Sequence, residues 1–287
     1  MKIALAIPTY NAGEQFKEVL NLINKQASQI DYKLVVDSSS TDNTLDIAGN
    51  YGFNTKIISK SDFSHGGTRT EIAKKLFKLD YKYLIFMTQD VFLQSEALKN
   101  IIEYIKVHDA AVVRGKQEVD LNKGNLFEYF ARNQNYGEKN LLYTKSDIAE
   151  KGIDTIFTSD AFAIYDLEKL STVGYFGTSG NVSEDMFAAH KLIQNGYSIG
   201  YCSKAKVFHT HNYTIKQEYN RYIPIGNFYK EQHEWISKYG KTNQKGIMLV
   251  LNEMKFLVLN GKIYLIPTAV LRNAAKLIGF QIGKRGK

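Results

Sequence analysis

The feature that most restricts the fold of this chain is an alternation, in its N-terminal part, between short β-branched runs and helical periods. Residues 3–7, 33–36, 56–58, 83–87 and 111–113 are strand-length and mostly apolar, as parallel strands buried on both faces require. Between them, Phe16, Val19, Leu20, Ile23 and Ala27 recur at helical spacing, and Leu45, Ala48 and Tyr51 run into a stop at Gly52. Further periods follow at Ile72, Ala73 and Leu76, and at Leu98, Ile101, Ile102 and Ile105 behind Ser95, which the spacing predicts as a helix cap. Strand and helix in alternation imply an α/β chain built on a doubly wound, mostly parallel sheet, with ligands bound beyond the carboxyl ends of its strands.

Composition narrows the function classes. At 44% apolar with three prolines the chain is neither disordered nor fibrous. One cysteine, Cys202, excludes an internal disulfide framework and a Cys-rich zinc module, and the short apolar run at the N-terminus is no secretory signal. A cytoplasmic chain is expected. The formal charge of +8 is unevenly placed: from Lys241 onward nine lysines and arginines face one acid, Glu253, and the rest of the chain is neutral. A neutral body offers no groove for nucleic acid. The basic tail is also apolar, yet too interrupted to span a bilayer. It reads as amphipathic helices lying on an anionic membrane surface, or as a C-terminal cap with solvated lysines.

Polar clusters stand at the predicted strand ends. The first strand closes on Pro8, Thr9, Tyr10 and Asn11, the second on Asp37, Ser38, Ser39 and Ser40, and the fourth on Thr88, Gln89 and Asp90. Neither Gly-x-Gly-x-x-Gly nor Gly-x-x-x-x-Gly-Lys is present, which removes the usual cradles of hydride transfer and of P-loop chemistry. Gly66, Gly67 and Thr68 precede a helical period, where free backbone N–H groups favour an anion, with Arg69 and His65 as added donors. A flexible connection is the plainer reading of the two glycines.

The Pro-Thr-Tyr-Asn opening, the Asp-Ser-Ser-Ser-Thr-Asp-Asn-Thr turn at 37–44 and Ser-Glu-Asp at 183–185 resemble family 2 glycosyltransferases of the GT-A nucleotide-diphospho-sugar transferase fold. Within that family, Phe-Ser-His-Gly-Gly-Thr-Arg at 63–69, Met-Thr-Gln-Asp-Val at 87–91, Ser-Asp-Ala-Phe-Ala-Ile-Tyr at 159–165 and the stretch 209–217 are similar to bacterial rhamnosyltransferases of cell-surface polysaccharides. The resemblance implies a catalytic domain over residues 1–230, with a nucleotide-binding half (1–115) and an acceptor-binding half (116–230), followed by a basic helical extension over 231–287.

The resemblance also implies roles. Asp37 accepts the imide N–H of uracil or thymine, an edge where cytosine offers an acceptor instead, although Asp37 is also a natural turn former. Pro8, Thr9, Tyr10, Asn11, Ser39 and Gln89 would complete the nucleotide site with His65 and Arg69, Tyr10 supplying a stacking face. Asp90 would hold Mg²⁺ or Mn²⁺. The family's usual Asp-x-Asp reads Thr-Gln-Asp here, which leaves room for imidazole help. His209 and His211, two apart on an extended chain, share one face; His209 is the metal ligand by resemblance, and His211 holds metal or diphosphate. Asp185 would be the base that takes a proton from the acceptor hydroxyl, with Glu184 positioning the acceptor or capping the helix. Asp160, Arg221 and Tyr222 would contact acceptor or diphosphate. Residues 117–155 read as a polar insertion, a candidate acceptor lid.

The expectation is therefore an inverting, metal-dependent glycosyltransferase moving rhamnose from a dTDP donor to a lipid-linked, polyprenyl-type glycan acceptor, peripheral on the inner face of the cell membrane. A UDP-sugar donor is the alternative within the fold, and a non-catalytic nucleotide-sugar-binding subunit the alternative outside it.

Overall fold

The computed structural model describes residues 1–177, 182–240 and 242–286. Its N-terminal part follows the predicted alternation: β1 (Lys2–Thr9), α1 (Phe16–Asn24), β2 (Tyr32–Asp37), α2 (Thr44–Asn50), β3 (Asn54–Ile57), α3 (His65–Lys78) and β4 (Tyr81–Met87). The four strands lie in the order β3-β2-β1-β4, all parallel. Successive residues of β1 point to opposite faces, as a pleated strand demands. Ile3, Leu5 and Ile7 pack with Phe16, Val19, Leu20 and Ile23 of α1, while Ala4 and Ala6 face Ile72, Ala73 and Leu76 of α3. Two apolar layers result, one on each side of the sheet.

The remaining elements continue that sheet. After β4 come β5 (Phe92–Leu93), α4 (Ala97–His108), β6 (Val112–Glu118), α5 (Leu126–Asn135), β7 (Leu141–Tyr143), α6 (Ile148–Lys151), β8 (Phe162–Asp166), α7 (Leu167–Thr172), α8 (Glu184–Gln194) and β9 (Ile199–Phe208). β8 inserts antiparallel between β4 and β6, and β9 runs parallel to β6. The five predicted strands share one direction, with β9; β5, β7 and β8 are reversed. Because β8 is reversed, its amino end meets the carboxyl ends of its neighbours, and Met87 pairs with Phe162.

Three local expectations change. Residues 54–57 form an exposed edge strand, since β3 has a partner on one side alone. Ser95 caps nothing: α4 starts after Glu96, whose φ is 57°, and the first turn is served by Gln26, which accepts from the Leu98 N–H at 3.3 Å. The insertion 117–155 is structured, containing α5, β7 and α6.

The C-terminal region comprises α9 (Ile215–Glu231), α10 (His233–Ile236), α11 (Thr242–Leu259) and α12 (Ile266–Arg285). Trp235 is buried in the core, stacked on His190 at 4.2 Å between ring centroids. α12 lies along α9. Their backbones approach closely because Gly226, Gly279 and Gly283 stand at the contact; a Cβ at Gly283 would lie 2.0 Å from the Ile223 carbonyl oxygen.

Candidate active site

The topology brings the predicted site residues to one edge of the sheet. β1 ends there at Thr9, β2 at Asp37 and β4 just before Asp90; β6 ends beside Gln117, β9 just before His209, and β8 begins there after Asp160.

Over β1 and β2 the polar turns form a cradle. Thr9 Oγ1 donates to Asp37 Oδ1 at 2.9 Å, Ser40 N–H donates to Oδ2 at 2.7 Å, and Ser40 Oγ donates to Oδ1 at 2.5 Å. Asp37 is therefore fully buried, with three of its acceptor positions filled. These bonds fix the turn that follows β2. Gln89 clasps the backbone of Tyr10, accepting from its N–H at 2.8 Å and donating to its carbonyl at 3.1 Å. That clasp ties the end of β1 to the end of β4 and leaves the Tyr10 ring exposed, with Lys60 Nζ 4.4 Å from its centroid. Asn11 and Ser39 adopt left-handed φ of 46° and 60°. Asn11 Oδ1 accepts from the Thr41 N–H, and Ser39 Oγ donates to the Ile58 carbonyl. Pro8 sits within β1.

Asp90, His209 and His211 form a second group, their ligand atoms all within 4.8 Å of one another. His209 Nε2 lies 3.5 Å from Asp90 Oδ1, and His211 Nδ1 lies 3.9 Å from Oδ2. The shared face expected of the His-x-His spacing is present, with ring centroids 4.3 Å apart. Residues the sequence did not single out hold these rings. Gln117 Oε1 lies 2.8 Å from His209 Nδ1 and also accepts from Arg132, while its amide nitrogen donates to Ser159. A carbonyl oxygen only accepts, so Nδ1 carries the hydrogen, and Nε2, on the side of Asp90, is the nitrogen that would give up its proton to a cation. Both oxygens of Glu128 accept from the His211 N–H, at 2.9 and 2.8 Å. Burial alone would raise the Asp90 carboxyl, but the hydrogen bond and charge of His209 hold it well below the usual carboxylate range. Desolvation, with His209 alongside, brings His211 down to about 4, which keeps its ring neutral and able to ligate. One carboxylate and two oriented imidazoles are a donor set that fits a divalent cation. No local signal in the sequence marks these supporting residues: Gln117 lies in the polar half of β6, behind Arg114 and Lys116.

The third group is buried. Arg69 is 3% exposed, with Nε 2.8 Å from Asp160 Oδ2 and Nη1 3.2 Å from Glu184 Oε1. The guanidinium expected to help hold the nucleotide thus neutralises two carboxylates, over the ring of Phe86. α3 begins at His65, so Gly66, Gly67 and Thr68 lie inside its first turn, and the Gly67 N–H that was to meet an anion donates to Ser64 Oγ. His65 Nδ1 is 3.3 Å from the same arginine and 3.9 Å from Glu184. Glu184 opens α8, is turned inward to Arg69 and caps nothing. Asp185 is its half-buried neighbour, accepting from the Asp160 N–H at 3.3 Å and the Met186 N–H at 2.7 Å. Burial first, then the charges of Glu184 and Asp160, push the Asp185 carboxyl well above its ordinary value. Tyr165 donates to Asp160 at 2.6 Å. Arg221 and Tyr222, on α9, lie apart from this group, beyond His211.

A mixed α/β sheet thus gathers a polar cradle, a carboxylate–imidazole cluster and a buried cluster of acids along the edge where such sheets bind their ligands. The chain belongs to glycosyl transferase family 2, whose profile matches residues 4–174. It is 38% identical over 98% of its length to the O-antigen chain rhamnosyltransferase WbaN of Salmonella anatum, covering 88% of that protein. It is 39% identical over 99% of its length to the O-antigen chain rhamnosyltransferase RfbN of Salmonella typhimurium, covering 90% of it. Among solved structures, mannosyltransferase PcManGT of Pyrobaculum calidifontis, in complex with GDP-Man and Mn²⁺, superposes with a TM-score of 0.58 at 16% identity, over 96% of this chain and 74% of that one. That likeness extends the GT-A fold through the second half of the sheet. The chain is a glycosyltransferase of polysaccharide biosynthesis.

Proposed function

We propose that the enzyme transfers L-rhamnose from dTDP-rhamnose to a lipid-linked glycan, with inversion at the anomeric carbon. The observation that carries the chemistry is the place of Asp185 at the start of α8, half-buried and held by the Asp160 and Met186 N–H groups, where burial favours the uptake of a proton. In one displacement, Asp185 takes the acceptor hydroxyl's proton, the hydroxyl oxygen forms a bond to the anomeric carbon, and the bond from that carbon to the donor phosphate breaks, its electron pair leaving with the diphosphate. Arg69 holds Asp160 and Glu184, keeping the acids around the base in place. The exposed ring of Tyr10 offers the base a stacking face. A divalent cation held by Asp90, His209 and His211 would neutralise the departing diphosphate, and the two imidazoles favour Mn²⁺ over Mg²⁺.

The identity to two O-antigen rhamnosyltransferases supports rhamnose as the sugar. Calorimetric titration of dTDP-rhamnose against UDP-N-acetylglucosamine and UDP-galactose tests it: dTDP-rhamnose binds tightest, and tighter binding of either UDP-sugar would overturn the assignment.

The tail supports a membrane-peripheral enzyme. No helix among the described residues is long and apolar enough to cross a bilayer. Yet α11 and α12 expose Ile247, Met248, Leu251, Leu271, Leu277 and Ile278, each more than half accessible, on a segment rich in cations. An apolar surface with basic flanks suits the headgroup region of anionic lipid on the cytoplasmic face.

A further inference from the structure

Beyond the metal-binding group, on the far side of His211, a cleft of about 170 Å³ opens between α5, α9 and α12. Four cations line it: Arg132 from α5, Arg221 from α9, and Arg272 and Lys276 from α12. The two carboxylates that also line it are already engaged. Glu218 Oε1 takes Arg272 at 2.9 Å and lies 3.5 Å from Lys276, while Glu128 lies 3.5 Å from Arg132 and holds the His211 backbone. Arg221 lies over the Tyr213 ring at 5.0 Å and pairs with no carboxylate among the described residues. The cleft is thus cationic on balance. Its volume is below the roughly 300–1,000 Å³ of pockets that enclose a whole drug-sized ligand, so it suits a phosphate or diphosphate group rather than an entire nucleotide sugar. α12 then adds a second property. The helix that turns Arg272 and Lys276 toward the cleft presents Leu271, Leu277 and Ile278 to the exterior, so a charged niche and an apolar surface meet on one element.

We infer that this cleft is the binding site for the phosphate linkage of a prenyl-type lipid acceptor, with Arg221, Arg272 and Lys276 as its cations and the outer face of α12 as the seat of the chain. The inference rests on the reading of a lipid-linked acceptor and names where its phosphate is held. Charge-assisted hydrogen bonds supply the affinity, and the position beside His211 sets the acceptor against the departing donor phosphate.

The same chemistry could serve the donor's diphosphate, and the experiment separates the two. Geranyl diphosphate, inorganic pyrophosphate and dTDP are titrated by calorimetry into the full chain, the first two with chelator present and dTDP with Mn²⁺. Geranyl diphosphate is expected to bind without metal, more tightly than pyrophosphate. Lys276→Gln and Arg221→Gln, both at the cleft's margin, are each expected to weaken it about tenfold while dTDP affinity holds; unchanged melting curves verify the fold. Absence of geranyl diphosphate binding, or indifference to both substitutions, overturns the inference. Equal binding of pyrophosphate removes the lipid, and an equal loss of dTDP affinity assigns the cations to the donor. Failure of the donor reading would show instead in the wild-type nucleotide-sugar titrations, which leave the geranyl diphosphate measurements untouched.

Discussion

Gln117 reaches the side of the His209 ring away from Asp90, and so decides which nitrogen would face a cation. Its oxygen fixes the Nδ1 hydrogen, and Arg132 and Ser159 fix the orientation of its amide. Replacing it by leucine frees the imidazole to change tautomer and rotate. Gln117→Leu is therefore expected to weaken Mn²⁺ binding about 10- to 100-fold, the usual effect of losing such a partner; titration of Mn²⁺ followed by electron paramagnetic resonance measures it, and undiminished affinity refutes the role. Asp90, His209 and His211 could be picked out of the sequence because each follows an apolar strand and bears a side chain with few other reasons to be there. Gln117, Glu128 and Arg132 could not, because polar residues near a strand end and on an amphipathic helix are ordinary until the fold aims them. Arg69 shows the opposite failure. Its neighbours in sequence suggested a phosphate site, but its partners, Asp160 and Glu184, come from far along the chain, and long-range ion pairs leave no mark in local pattern.

Among the elements, the packing of α12 on α9 depends on what the two helices lack. Gly226, Gly279 and Gly283 let backbone meet backbone, and the position of Arg272 and Lys276 follows from that approach. Gly283→Val has nowhere to place its side chain except into the Ile223 carbonyl, so the pair must separate. A loss of about 1–3 kcal/mol, the common cost of overpacking, is expected in denaturant unfolding, with α12 becoming sensitive to limited proteolysis before the sheet; a melting transition and cleavage pattern like the wild type's would show that the contact is loose. The first half of the sheet was readable because each strand there is followed by its own helix, giving a local rhythm. β8 and β9 were harder, because β8 pairs with strands far before it in the chain and its direction is set by that insertion. The cap of α4 was misread for a related reason: Gln26, which serves it, belongs to another part of the chain.

For the whole molecule, the charge map and the apolar map coincide. The excess of cations falls in the same C-terminal segment as the exposed leucines and isoleucines of α11 and α12, and the composition alone located it. Ile247→Glu combined with Ile278→Glu changes two outward-facing side chains without touching the core, so folding is expected to be unaffected. Sedimentation with phosphatidylglycerol vesicles should drop severalfold, since each substitution removes apolar burial and adds repulsion from anionic headgroups. Equal sedimentation of the variant and the wild type would refute membrane docking through this face.

The place of β8 in the sheet governs how the chain must assemble. One edge of β4 pairs with β1 and the other with β8, whose last residue is Asp166. Any growing polypeptide that stops short of that point leaves Leu84, Ile85 and Phe86, wholly interior in the finished protein, along an unzipped and sticky margin of the sort that recruits stray strands. Closure of the N-terminal part of the sheet therefore waits on sequence from well beyond it, and the two parts reach maturity together rather than in turn.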